Sequence, residues 1–165
     1  IDVSGTVTVQ SGGAIDVSGR GYPGGQSYPG VNASVNNSGG SHIGLGVGDS
    51  GTAGAAYGNV EQPQEAGAGA GGFASGGGVV RINAATLIDN GAIRASGVNT
   101  GSRNSAGGSI WITTGTLDGN GSVESKGFCC GFAASGGGAI SINYTTLQSG
   151  ATVLNNAGAT GSGRI

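Results

Sequence analysis

Three segments of this chain superimpose at an interval of thirty residues without a gap. Val80, Ile110 and Ile140 fall in line, as do Ile82, Ile112 and Ile142, then Leu87, Leu117 and Leu147, then Ile93, Val123 and Val153. Glycines mark the seams at Gly77, Gly107 and Gly137, and again at Gly97 and Gly127. A period of this size means units that bury their apolar residues only by stacking on their neighbours.

Each unit reads as strand, turn, strand. Val80-Arg-Ile-Asn83 alternates apolar and polar residues, Asp89-Asn90-Gly91 is a turn signal, and Ala92 to Ser96 makes a second short strand. No segment carries a helical period, and Val, Ile and Thr fill the strand positions. An earlier unit is set apart by an insertion. Ile1 and Val3 align with Val80 and Ile82, Val9 with Leu87, and Ile15 with Ile93. Between them, Gly-rich sequence from about Arg20 to Ser75 makes a long excursion, which is expected to pack on the flank or to carry a function.

The fold class these features predict is all-β: a right-handed parallel β-helix, or solenoid, of about four coils in one domain spanning 1–165. The first coil is 1–19, the excursion 20–75, and the later coils 76–105, 106–135 and 136–165. Stacking rungs roughly 4.8 Å apart brings like residues into columns. On the outer faces, Asp2, Arg81 and Trp111 then share one column, as an ion pair and a cation–π contact. Asp16, Arg94 and Glu124 share another, alternating in sign, with Leu154 next in line. Both ends of the chain read as strand-like and uncapped, so Ile1, Val3, Arg164 and Ile165 are the candidate joining edges, as in a fragment of something longer or a head-to-tail stack.

Composition bounds the chemistry. Of 165 residues 40 are Gly, 8% are charged, and the net charge is −2, which offers nothing to nucleic acid or an anionic membrane. No apolar run approaches the roughly 20 residues of a membrane span, and three prolines without a Gly-X-Y period do not make collagen. The single histidine, His42, has no Cys, Asp or Glu at a metal-binding spacing. Glu61 and Glu65 are the best-spaced carboxylates for glycoside chemistry, yet Pro63 between them argues against a rigid catalytic pair. The expectation is no enzyme activity and no cofactor or metal.

Other residues invite narrower readings. Cys129 and Cys130 are adjacent at a loop tip between Phe128 and Phe132, candidates for a disulfide in an oxidising compartment and for an apolar contact. Asn32 and Asn36 are the sequons best placed for glycosylation. Tyr22, Tyr28 and Tyr57 offer a sugar-stacking surface. Thr6 and Thr8 form a T-x-T pair of the kind ice-binding solenoids repeat, but the stacked positions are expected to hold other residues.

Ser38-Gly-Gly-Ser-His42, Tyr57 through Gly67, Gly76-Gly-Gly before a strand, the Gly107–Ile112 strand and Leu117-x-Gly-x-Gly121 together resemble the glycine-rich repeat modules of very large secreted surface proteins of bacteria and protists. The resemblance covers nearly the whole chain, departing at Ile43 and at the double cysteine. It implies an extracellular, cell-surface β-helical segment without a catalytic site. The functional expectation is a structural or adhesive module, an adhesin or filament subunit, whose partners are itself, flanking modules or surface glycans. The alternative is a carbohydrate-binding or polysaccharide-cleaving protein.

Overall fold

The computed structural model describes residues 1–48, 50–129, 133–148, 151 and 154–156. Among these there are ten strands and no helix. In chain order they are β1 (Thr6–Val9), β2 (Ala14–Asp16), β3 (Val47–Gly48), β4 (Val79–Asp89), β5 (Ala92–Arg94), β6 (Ser109–Asp118), β7 (Ser122–Glu124), β8 (Ala133–Ala134), β9 (Ala139–Leu147) and β10 (Leu154–Asn156). Two four-stranded parallel sheets run in the orders β1-β4-β6-β9 and β10-β7-β5-β2, and β3 pairs antiparallel with β8.

The thirty-residue interval is the pairing register of the long strands. Val80, Ile110 and Ile140 are cross-strand partners, as are Ile82, Ile112 and Ile142, and Leu87, Leu117 and Leu147. In β4 the side chains alternate until Ala84, then the buried set moves by one residue to Leu87 and Asp89. Ala85, Gly115 and Thr145 are the matching positions at which the ladder is interrupted. The inward residues of both sheets join in one core of Val80, Ile82, Leu87, Ile93, Ile110, Ile112, Leu117, Val123 and Ile140. Burying each such side chain contributes roughly 1.5–3 kcal/mol before conformational entropy is counted.

The expected closed β-helix is corrected. The described strands form two four-stranded parallel sheets and one antiparallel pair, and among the described residues they make no closed coil, so the right-handed parallel solenoid of about four coils is not what is found. Beside the sheets lie glycine-rich segments that are not strands, from the excursion and from the seams of the repeats, held by backbone hydrogen bonds. Successive residues of one such segment bond to different neighbours. Gly67 donates to Gly77 O (2.9 Å), Ala68 to Ser41 O (3.2 Å) and Gly69 to Gln26 O (3.2 Å). A strand would alternate between two neighbours, whereas these three successive N–H groups reach three different segments. Backbone groups that are not paired within a sheet must find partners in neighbouring segments when buried.

The excursion is therefore not a flank but part of the body. Gly77 N–H donates to Ala106 O (2.8 Å), Ala106 N–H to Ala68 O (3.1 Å), Gly40 N–H to Asn104 O (3.1 Å) and Gly136 N–H to Gly40 O (2.9 Å), tying repeat seams to the insertion. Side chains have no room there. A Cβ on Gly77 would stand 1.9 Å from Ala95 O, and one on Gly136 1.9 Å from Gly44 O. Buried serines serve the same bundle: Ser41 Oγ donates to Gly54 O (2.7 Å) and Ser125 Oγ to Gly108 O (2.7 Å).

The first unit is also re-registered. Val7, not Val9, partners Leu87, and Asp2 bridges to Asn83 instead of Arg81. The surplus residues sit in the turn Gln10–Gly13, closed by Gly13 N–H to Gln10 O (2.8 Å) with Gly12 at φ +79°, so β2 returns to Ile15 against Ile93. A two-residue slip keeps every side chain on its face, which the apolar pattern tolerates. At the other end Asn155 partners Val123 and Leu154 partners Ser122, two residues away from the expected Val153–Val123 and Leu154–Glu124 matches; Val153 lies outside the described residues.

Gly77→Ala is expected to cost about 2 kcal/mol or more, whereas Gly5→Ala, with open space around it, changes stability by less than about 0.5 kcal/mol. Urea midpoints measure both, and equal values would contradict the close-packed bundle.

Candidate functional site: the open sheet edges

Among the described residues, the outer strands of each parallel sheet are paired on one side only. In the first sheet, β1 and β9 are the edge strands. The leucine column shows what an edge position loses: Leu87 is 0% exposed, Leu117 4% and Leu147 47%. Tyr144, partner of the buried Thr114, is also exposed, and so are Asn143, Thr145 and Thr146. At the opposite edge Ile1 is 56% exposed and Val3 40%, while the Ile1 amine donates to Arg81 O (2.9 Å) and Val3 N–H to Asn83 O (2.9 Å). These two residues thus lie at the edge and not in the core column with Val80 and Ile82. Arg164 and Ile165 lie outside the described residues.

The register residues separate into those that meet and one that does not. Arg81 and Trp111 are partners, with the guanidinium carbon 4.4 Å from the ring centroid. Arg94 lies between Asp16 (3.9 Å) and Glu124 (3.6 Å), and Lys126 adds a 2.9 Å contact to Glu124. Burial opposes ionisation of Asp16, but its hydrogen bonds from Ser18 and the charge of Arg94 hold its carboxyl below the usual range. Such half-exposed pairs contribute under about 1 kcal/mol each and serve chiefly to fix register. Asp2 has Asn83 as its partner, whose amide donates to Asp2 Oδ1 (2.9 Å).

The slip creates a column that the aligned sequence hid. Thr6, Thr86, Thr116 and Thr146 are successive partners across all four strands of the first sheet. The expectation that the stacked positions hold other residues is corrected for Thr6 and holds for Thr8, whose column continues as Ile88 and Asp118.

The remaining candidates are dispersed. Cys129 is half-buried and its carbonyl accepts from Asn104 Nδ2 (3.1 Å), whereas Cys130 and Phe132 lie outside the described residues. Asn32 and Asn36 are exposed, but the hydroxyls completing their sequons are buried: Ser34 Oγ donates to Gly39 O and Ser38 Oγ to Val35 O and Thr52 O. Asn36 is the one non-glycine with positive φ among the described residues. Glu65 Oε2 accepts from its own loop, and Glu61 and Glu65 give their carbonyls to Ser141 and Ser109, so this loop straps the outer face of β6 and β9. Among the described residues no group of His, Cys, Asp and Glu is arranged to hold a metal.

His42 is the centre of a buried cluster. Its Nδ1 donates to Gly107 O (2.8 Å), its ring lies 5.0 Å from that of Tyr57, and Tyr57 stacks on Tyr28 at 5.7 Å. Tyr57 donates its hydroxyl to Ala66 O (2.6 Å), and burial pushes its pKa up. His42 Nε2 is buried without a partner, and burial lowers the His42 pKa to about 4. The histidine thus pins the excursion to a repeat seam, a role its sequence context does not announce.

Comparison with known proteins finds no matching family model, no similar curated protein and no similar solved structure.

Two pH effects of opposite sign follow. An unfolded His42 takes up a proton near pH 6.5 and the folded one near 4, so stability is full above pH 6.5 and falls by on the order of 3 kcal/mol as pH drops to 4. Melting temperature across this range, compared with a His42→Asn variant that lacks the slope, measures it; matching slopes would contradict it. Asp89 is buried, with Oδ1 accepting from Gly91 N–H (3.1 Å) and Oδ2 unpartnered, and burial raises its pKa. Its ionisation above pH 3.8 opposes folding, so Asp89→Asn should raise the melting temperature at pH 7 and leave it unchanged at pH 2. A loss at pH 7 would show the carboxylate to be stabilising.

Proposed function

We propose that this chain is a structural module of an extracellular fibre or cell-surface protein, joined end to end through the open edges of its parallel sheets. The observation that carries this reading is the leucine column, closed at Leu87 and Leu117 and open at Leu147. Unpaired strand edges with apolar neighbours favour the addition of another strand. The contact is heterologous, β9 of one unit against β1 of the next, and such contacts propagate into a filament wherever the rotation between units does not close a ring. The low charge, the glycine content and the resemblance to surface-protein repeat modules support the extracellular setting. The carbohydrate reading has less to draw on, since Tyr57 spends its ring on His42 and Tyr28 and its hydroxyl on Ala66.

Sedimentation velocity and negative-stain microscopy over a concentration series test the proposal. The chain should form lengthening oligomers, and Leu147→Asp, which places a charge at the exposed end of the column without touching the core, should shift the distribution at least tenfold toward monomer. A chain that stays monomeric to its solubility limit would contradict the proposal.

A further inference from the structure

The strands β4 and β9 share a pattern that the strand between them lacks. Ile82-Asn83-Ala84-Ala85-Thr86-Leu87 and Ile142-Asn143-Tyr144-Thr145-Thr146-Leu147 both read Ile-Asn-x-x-Thr-Leu, whereas β6 has Thr113 at the asparagine position. In β4 these three positions are among those that meet the first segment of the chain: Asn83 meets Asp2, Thr86 meets Thr6 and Leu87 meets Val7, followed by Ile88 and Asp89 against Thr8 and Val9. In β9 the same three, Asn143, Thr146 and Leu147, are exposed.

From this correspondence we infer that the partner of the β9 edge is a second copy of this chain, bound by residues 2–9 in one defined register: Asp2 on Asn143, Thr6 on Thr146 and Val7 on Leu147. The inference rests on the end-to-end reading above and adds the identity and alignment of the contact.

The same side-chain contact already occurs within the molecule. The Asn83 amide donates to the Asp2 carboxylate at 2.9 Å, and Asn143 carries the same group in the same column, at present with only a 3.3 Å bond to Ser141. Val7 is half-buried against Leu87 and would cover Leu147 in the same manner. The threonine column would run on unbroken from Thr146 of one copy to Thr6 of the next. At the junction β9 precedes β1, the reverse of the order in which β1 precedes β4. The backbone ladder there is that of any parallel pair, and the columns set the alignment. A one-residue shift would turn Val7 outward, and a two-residue shift would set Val9 or Gly5 against Leu147 and misplace Asp2.

Disulfide trapping reads the register. In a chain with Cys129→Ser and Cys130→Ser, the pair Thr6→Cys and Thr146→Cys puts thiols on strands roughly 4.8 Å apart, within the Cα separation of a disulfide. The pair Thr8→Cys and Thr146→Cys spans roughly 8 Å, beyond it. Both threonine edges are exposed, so the substitutions leave the core intact. Oxidation should yield a ladder of covalent multimers on non-reducing gels from the first variant, at least tenfold more than from the second. Mixing the two single variants, Thr6→Cys and Thr146→Cys, should yield dimers that neither yields alone. Multimers that assemble by sedimentation yet cross-link through Thr8→Cys, or through one single variant alone, overturn the register while leaving end-to-end joining in place. Absence of assembly by sedimentation overturns both, and is the outcome expected if a different flanking module covers this edge.

Discussion

Backbone groups that are taken out of water must be paired, and in this protein that requirement is met where side chains are missing. Along the glycine-rich side, extended segments approach until N–H and C=O groups of different segments bond directly, as Gly67 does with Gly77 and Ala106 with Ala68. That approach needs glycine, because a methyl group at Gly76, Gly108 or Gly136 would fall about 2 Å from a neighbouring carbonyl oxygen. The two parallel sheets supply the apolar core, and the glycine-rich segments bond to one another and to the seams of the repeats. His42, buried serines and the strap through Glu61 and Glu65 fasten one to the other.

What the sequence disclosed follows from where side chains carry information. The columns of β4, β6 and β9 were legible because the three segments align without a gap and aliphatic residues repeat in them. The ion pairs around Arg94 and the Arg81–Trp111 contact came with that register. The glycine-rich bundle was not legible, since glycine shows no apolar period; the excursion was expected to pack on the flank or to carry a function, whereas its backbone groups bond directly to the repeat seams. The slip of the first unit was missed because Gln10–Gly13 absorbs the surplus in a turn, and a shift of two leaves the apolar pattern looking the same. The contacts of His42 were not legible because its partners, Gly107 and Tyr57, are distant or featureless in sequence.

The same slip connects structure to function. It brings four threonines into one column and sets Asp2 on Asn83, and so reveals that β9 repeats the surface on which the first segment already rests. Under the proposed end-to-end joining, this edge is where the next copy binds. On this account the charge pairs and the Asn–Asp contact choose the alignment, while the leucine column and the backbone ladder provide the cohesion.

Amide hydrogen exchange of the intact chain tests the central claim most directly. If glycine-rich segments without strand structure are hydrogen-bonded parts of the body, the amides of Gly67, Ala68, Gly77, Ala106 and Gly136 should exchange as slowly as those of Ile110 and Ile112 in β6. Exchange of those five at the rate of an open loop, with β6 still protected, would contradict it.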